Sequence, residues 1–123
     1  MAWKFNEKSP IYLQIANHIK MQIISQEIKP GQQLPTVRDL AEEAGVNPNT
    51  MQRAFTSLEQ EEMVFSVRTS GRFVTENLQL IEEERSKLAQ LELKNFIDKM
   101  TKIGFSKDSL TAILDQYIKG ESQ

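Results

Sequence analysis

The sequence predicts a mainly α-helical chain that carries one β-hairpin, and three observations lead there. Apolar residues recur at helical spacing in five separate segments. Turn signals at Pro30-Gly31, Gly45 and Gly104 fall between those segments rather than inside them. The run "VFSVRTSGRFV", residues 64–74, is dense in β-branched and aromatic residues with a turn signal at its middle.

The first helix is expected to open at Ser9-Pro10, with Ser9 as N-cap and Pro10 at the first helical position, where its missing N–H costs nothing. Tyr12, Ile15, Ala16, Ile19 and Ile23 then share one face. Leu13, Ile24 and Ile28 form a narrower second stripe, which suggests contact with something besides the core. "KPGQQLP" ends the helix and forms a constrained connector. Thr36 caps a second helix, with Asp39 in the capping-box position. Val37, Leu40, Ala41 and Ala44 make its apolar face, and Gly45 ends it.

Pro48 sits where a break would be expected, yet an apolar rhythm starts there. Asn47 as N-cap and Pro48 as first helical residue make it a helix start. Two short helices joined by a glycine-containing turn read as helix-turn-helix. In the third helix Met51, Ala54, Phe55 and Leu58 face inward. The opposite side is centred on Asn49, Arg53 and Thr56, flanked by Gln52, Thr50 and Ser57, with no carboxylate before Glu59. A merely solvated face usually mixes Glu and Lys. Val64, Phe65, Val67, Phe73 and Val74 supply the two strands, with Thr69-Ser70-Gly71 as the tip and Arg68 and Arg72 beside it. Two strands do not stand alone in water, so the hairpin must pack on the helices as the wing of a winged helix-turn-helix.

Residues 78–103 read as one long helix with a changing apolar face: Ile81, Leu88 and Leu91 early, then Ala89, Leu93, Phe96, Met100 and Ile103. Gly104 stops it. Ser106 caps a last helix bearing Leu110, Ile113, Leu114, Tyr117 and Ile118. The expected division is 1–77 for a DNA-binding winged helix-turn-helix and 78–123 for a two-helix dimerisation tail. Such a tail is too small to enclose its own core. Its spare apolar faces therefore ask for a second copy.

Composition narrows the classes. The absence of cysteine excludes disulfides, cysteine-held zinc and a thiol nucleophile, and suits a reducing compartment. "MAWKFNEKS" lacks the basic start and apolar run of a secretory signal, and no apolar stretch approaches the roughly 20 residues needed to cross a bilayer. A cytoplasmic protein without a membrane partner is expected. His18 lies with Gln14, Gln22 and Ser25 on a polar face, with no nucleophile or orienting partner near. Glu82-Glu83-Glu84 suits a solvated helix start better than a metal. Neither a cofactor nor a metal nor an enzyme activity is expected. Trp3 and Phe5 are read as packing an N-terminal arm onto the domain.

Net charge is −2, and residues 1–77 hold eight Lys/Arg against nine Asp/Glu, so a DNA-binding reading rests on where charges lie. Asn and Gln bond adenine through paired hydrogen bonds, Arg does so with guanine, and Thr reaches base edges, thymine methyls or phosphates. Asn49, Thr50, Gln52 and Arg53 supply that vocabulary in the first two turns of the third helix, the part that meets bases in a major groove. The helix starts at Thr36 and Asn47 offer backbone N–H groups to phosphates. Arg38 is placed for a phosphate or groove-edge contact, and Arg68 and Arg72 for the minor groove or backbone. The rival reading is a winged-helix protein-interaction module, which the acidic total slightly favours.

The run from "SPIYLQIANHIK" through "IKPGQQLPTVRDLA" and "GVNPNTMQRAFTSLE" to "SGRFV" resembles the GntR family of bacterial transcription regulators across the DNA-binding domain. "NPNTMQRAF" and the short tail are similar to the YtrA subfamily. The resemblance implies a homodimer on a pseudo-palindromic double-stranded DNA operator, and the subfamily suggests control of a transporter operon; binding over a promoter would block polymerase, so a repressor is expected. It places DNA contacts on Thr36, Arg38, Asn49, Thr50, Gln52, Ser70 and Gly71. Many members carry arginine where Pro48 and Gln52 stand, so base preference should differ. Thr69 and Arg72 replace the first glycine and the threonine of the usual Gly-x-Gly-Thr wing. A small-molecule effector, of unknown identity, would bind between tail and DNA-binding domain.

Overall fold

The computed structural model describes residues 3–120. The elements run α1 (Ile11–Ile24), α2 (Val37–Ala44), α3 (Pro48–Gln60), β1 (Val64–Val67), β2 (Gly71–Val74), α4 (Leu78–Lys102) and α5 (Lys107–Gly120). The chain forms two compact units, Met1–Glu84 and Arg85–Gln123, so the opening turns of α4 belong with the first. None of the described helices is long and apolar enough to cross a membrane.

The first unit is built around α3. α3 packs on both α1 and α2; Met51, Ala54, Phe55 and Leu58 are fully buried, as are Ile15, Ile19 and Ile23 of α1 and Ala41 and Ala44 of α2, with Leu40 nearly so. Fully burying a side chain of this size contributes about 1.5–3 kcal/mol. Ile24, assigned to a spare outer stripe on periodicity, is buried too. It therefore belongs to the core rather than to an external contact, while Leu13 and Ile28 are half-buried.

The helix starts follow local chemistry with one shift. α1 begins one residue later than its Ser-Pro signal implies. Pro10 is the N-cap and makes no side-chain cap; its carbonyl accepts from the N–H groups of Leu13 and Gln14. The Ser9 carbonyl accepts instead from Gln14 Nε2 at 2.8 Å, and the same amide exchanges hydrogen bonds with the backbone of Asn6. Gln14 thus ties down the N-terminal arm. Trp3 anchors that arm further, donating its backbone N–H to the Ala44 carbonyl at 3.0 Å, with its ring centroid 4.2 Å from that of His18 in a tilted contact.

The wing is wider than a hairpin. β1 and β2 pair antiparallel with Val64 opposite Val74 and Val67 opposite Gly71. The α1–α2 connector lies along the other edge of β2, where Gln33 bridges Phe73. Leu34 donates its N–H to the Arg72 carbonyl at 2.8 Å, and Val74 donates to the Gln32 carbonyl at 2.9 Å. The apolar ends of the hairpin sink into the core at Val64 and Val74. Gly71, expected in the tip, is the first residue of β2, leaving residues 68–70 as the loop.

One ionic cluster joins three elements of the first unit. Lys20 Nζ on α1 lies 3.0 Å from both Glu61, just past α3, and Glu84 on α4. Burial pulls this ammonium down, but the two carboxylates outweigh it and hold the pKa above the ordinary 10.5. A lysine pKa raised by folding stabilises fully below its unfolded value, and that contribution disappears as pH rises through the folded one. The stability difference between wild type and Lys20→Gln should therefore be constant from neutral pH to about pH 10 and shrink above it. Urea melts across that range check this; a difference that grows with alkalinity would contradict it.

In the second unit Gly104, at φ 107°, ends α4, and Phe105 donates its N–H back to the Met100 carbonyl at 3.1 Å. Ser106 starts α5 through its carbonyl, which accepts from Ser109 N–H and Oγ. Leu110 is buried, but Leu93, Ile103, Leu114, Tyr117 and Ile118 are exposed.

Candidate nucleic-acid interface

The connection between α2 and α3 is short because each end is closed by its own chemistry. Thr36 Oγ1 accepts the Asp39 N–H at 3.1 Å. Gly45 takes the left-handed conformation at φ 76°, where a side chain would be strained, and lets Val46 donate to the Ala41 carbonyl at 3.0 Å. Asn47 Oδ1 then accepts the Asn49 N–H at 2.7 Å, and Pro48 opens α3. In these two caps the side-chain oxygens of Thr36 and Asn47 each accept a backbone N–H and so set the starts of α2 and α3.

Asn49, Gln52, Arg53 and Thr56 stand exposed on the side of α3 away from the core, with Thr50 and Ser57 half-buried at its edge. Gln52 Nε2 lies 3.4 Å from Thr56 Oγ1, a weak tether along the face. Arg53 forms no ion pair among the described residues; its guanidinium carbon lies 4.0 Å from the centroid of the Tyr12 ring. Tyr12, Gln52, Arg53, Thr56, Ser57 and Gln60 line a hollow of about 320 Å³. Tyr12, read from periodicity as core, is half-buried and serves this face.

Arg38 is exposed at the start of α2 and Arg68 at the start of the wing loop. Ser70 is also exposed, and its carbonyl accepts Gln33 Nε2 at 2.6 Å. Gly71 has φ 118°, and a Cβ there would stand 2.9 Å from Gln33 Nε2. The wing loop is therefore pinned to the connector at a place where the backbone admits only glycine. Arg72 does not project from the tip. Its Nε lies 3.3 Å from Glu59 Oε2, the same oxygen that accepts from Ser66 Oγ, and its guanidinium lies 5.1 Å from the Phe55 ring. In this arrangement Arg72 joins wing to α3, and its charge is neutralised by Glu59.

Periodicity and motif reading missed Tyr12, Gln33 and Glu59 as parts of the site. Only the cross-strand neighbours Ser66 and Arg72 had a local signal, and nothing in the sequence brings Glu59 to them.

A helix-turn-helix whose second helix exposes amides, hydroxyls and an arginine, followed by a hairpin pinned beside it, defines a winged-helix DNA-binding regulator. Residues 11–74 match the family of bacterial regulatory proteins named gntR, and the chain belongs to that GntR family. It is 33% identical over 117 residues to the uncharacterized HTH-type transcriptional regulator YhcF of Bacillus subtilis, covering 95% of this chain and 97% of that one. It is 34% identical over 90 residues to the transcriptional repressor YtrA of the same organism, covering 72% and 69%. A GntR family regulator from Listeria monocytogenes superposes with a TM-score of 0.82 at 36% identity, over 91% of this chain and 98% of that one. The AraR DNA-binding domain in complex with operator ORR3 superposes with a TM-score of 0.51 at 28% identity, over 61% and 95%. The protein is accordingly a DNA-binding transcriptional regulator of the YtrA-like branch, neither an enzyme nor a mere protein-interaction module.

Proposed function

We propose that this regulator is a cytoplasmic homodimeric repressor, with residues 1–77 reading one half of a pseudo-palindromic operator and residues 78–123 joining the two copies. One observation carries this reading: the exposed side of α3 offers Asn49, Gln52, Arg53 and Thr56 without a carboxylate. Asn49, Thr50, Gln52 and Arg53 read base edges in the major groove. Thr36 and Asn47 present helix starts to phosphates. Arg38 holds the backbone at one side, while Arg68, Ser70 and Gly71 bring the wing to the other. Arg72 holds the wing against Glu59 rather than reaching DNA. In a paired molecule the two α3 helices enter successive major grooves, about 34 Å apart. Occupancy over a promoter excludes polymerase. The relative YtrA is named a repressor, and its subfamily suggests a transporter operon as the regulated unit. An effector would act by binding one of two arrangements of tail and DNA-binding domain more tightly.

Footprinting and gel shift on the DNA upstream of the gene test the reading, and salt dependence tests the charges. Even with Arg38, Arg53 and Arg68 from each of two protomers all counted against phosphates, the slope of log K against log salt should be no steeper than roughly −5. Release of Arg72 from Glu59 to phosphates would steepen it to about −7. No protected upstream segment, or a salt-independent shift, would overturn the proposal.

A further inference from the structure

Arg53 lies on the exposed side of α3, yet its head is held by a residue of α1. A free arginine carries about 2 kcal/mol of rotamer entropy, much of which it loses when it bonds a base or phosphate. The Tyr12 ring, 4.0 Å below the guanidinium carbon, removes part of that freedom before DNA arrives. Cation–π attraction uses only the face of the guanidinium. The N–H donors radiate in its plane, and among the described residues no carboxylate pairs with Arg53. The ring thus restrains the side chain and leaves its hydrogen-bonding fork available. Gln52, Thr56, Ser57 and Gln60 line the same hollow, so among the described residues that line it none is anionic.

We infer that Tyr12 is the positioning residue for Arg53, pre-orienting its guanidinium toward an acceptor on the operator without touching DNA itself. This rests on the proposed function, since it needs α3 to face DNA. Both possible acceptors, a guanine edge and a phosphate, are met by the same fork.

The test is a double-mutant cycle on the full chain with the footprinted upstream duplex: Tyr12→Leu, Tyr12→Phe, Arg53→Ala and Tyr12→Leu/Arg53→Ala. Tyr12→Leu should weaken binding about three- to tenfold. Tyr12→Phe, which keeps the ring, should stay within about twofold. In the Arg53→Ala background Tyr12→Leu should cause no further loss, because the group it positions is gone. A loss confined to one base pair assigns the acceptor to a guanine; a loss uniform over operator variants assigns it to a phosphate. In the DNA-free protein the Arg53 side-chain proton resonances should be shifted upfield by the ring in wild type and Tyr12→Phe, but not in Tyr12→Leu. An equal loss in both backgrounds, no loss in either, or absence of the upfield shift would overturn the inference. A wild-type chain that shows the upfield shift but binds no upstream duplex would instead bring down the functional reading on which it rests.

Discussion

Replacing Phe55 with alanine is expected to lower the stability of the first unit by about 3–5 kcal/mol, a large part of what a small domain has. Phe55 is fully buried, as are Ile15 and Ile19 of α1 and Met51 and Leu58 of α3, and α1 packs on α3. Truncation removes the ring's transfer free energy and leaves a cavity that rigid helices cannot fill. The ring also lies 5.1 Å from the Arg72 guanidinium, so its loss loosens the wing. Urea unfolding followed by Trp3, the single tryptophan, reads this directly because the Trp3 ring lies against His18 of α1. Met21→Ala, on the exposed side of α1, should change stability by less than about 0.5 kcal/mol. A Phe55→Ala cost below about 1 kcal/mol would mean that α3 is not the hub of this core.

Putting aspartate at both Leu114 and Ile118 is expected to abolish dimerisation and reduce operator affinity at least about 100-fold. Both side chains are exposed in the single chain, alongside Tyr117, although their helical spacing places them on one apolar face with buried Leu110. A small monomer gains nothing from leaving such a face in water. In a dimer the second half-site is engaged at high effective concentration, so losing the partner removes that gain without altering any DNA contact. Sedimentation should show a monomer, while Trp3 fluorescence shows the first unit still folded. A variant that remains dimeric would place the interface elsewhere, and a monomeric one with undiminished affinity would refute the two-half-site mechanism.

These expectations draw on different depths of information. The start of α3 was legible because its causes are adjacent in the chain: Asn47 caps Asn49, and Pro48 fits the first turn. Its buried set of Met51, Ala54, Phe55 and Leu58 followed from periodicity alone. The same local logic misplaced the start of α1 by one residue. There the Gln14 side chain turns back to the Ser9 and Asn6 carbonyls, a loop closure that no cap rule contains. Ile24 looked external because periodicity sorts residues by face without counting how many faces the neighbouring elements cover.

The contacts that shape the exposed face of α3 and the wing are of another kind. Arg53 meets Tyr12 from a different helix, and Arg72 meets Glu59 across thirteen residues. Gln33 reaches Ser70 across thirty-seven. A lone bridge such as Gln33 to Phe73 has no period to betray it. Helix order, the turn between α2 and α3, and the polar vocabulary of the exposed face of α3 were written in neighbouring residues, since capping, proline geometry and amphipathic spacing act within a turn or two. Which arginines keep their charge available, and which are held by a ring or a carboxylate, depended on folding, because only packing brings side chains of distant sequence within reach of one another.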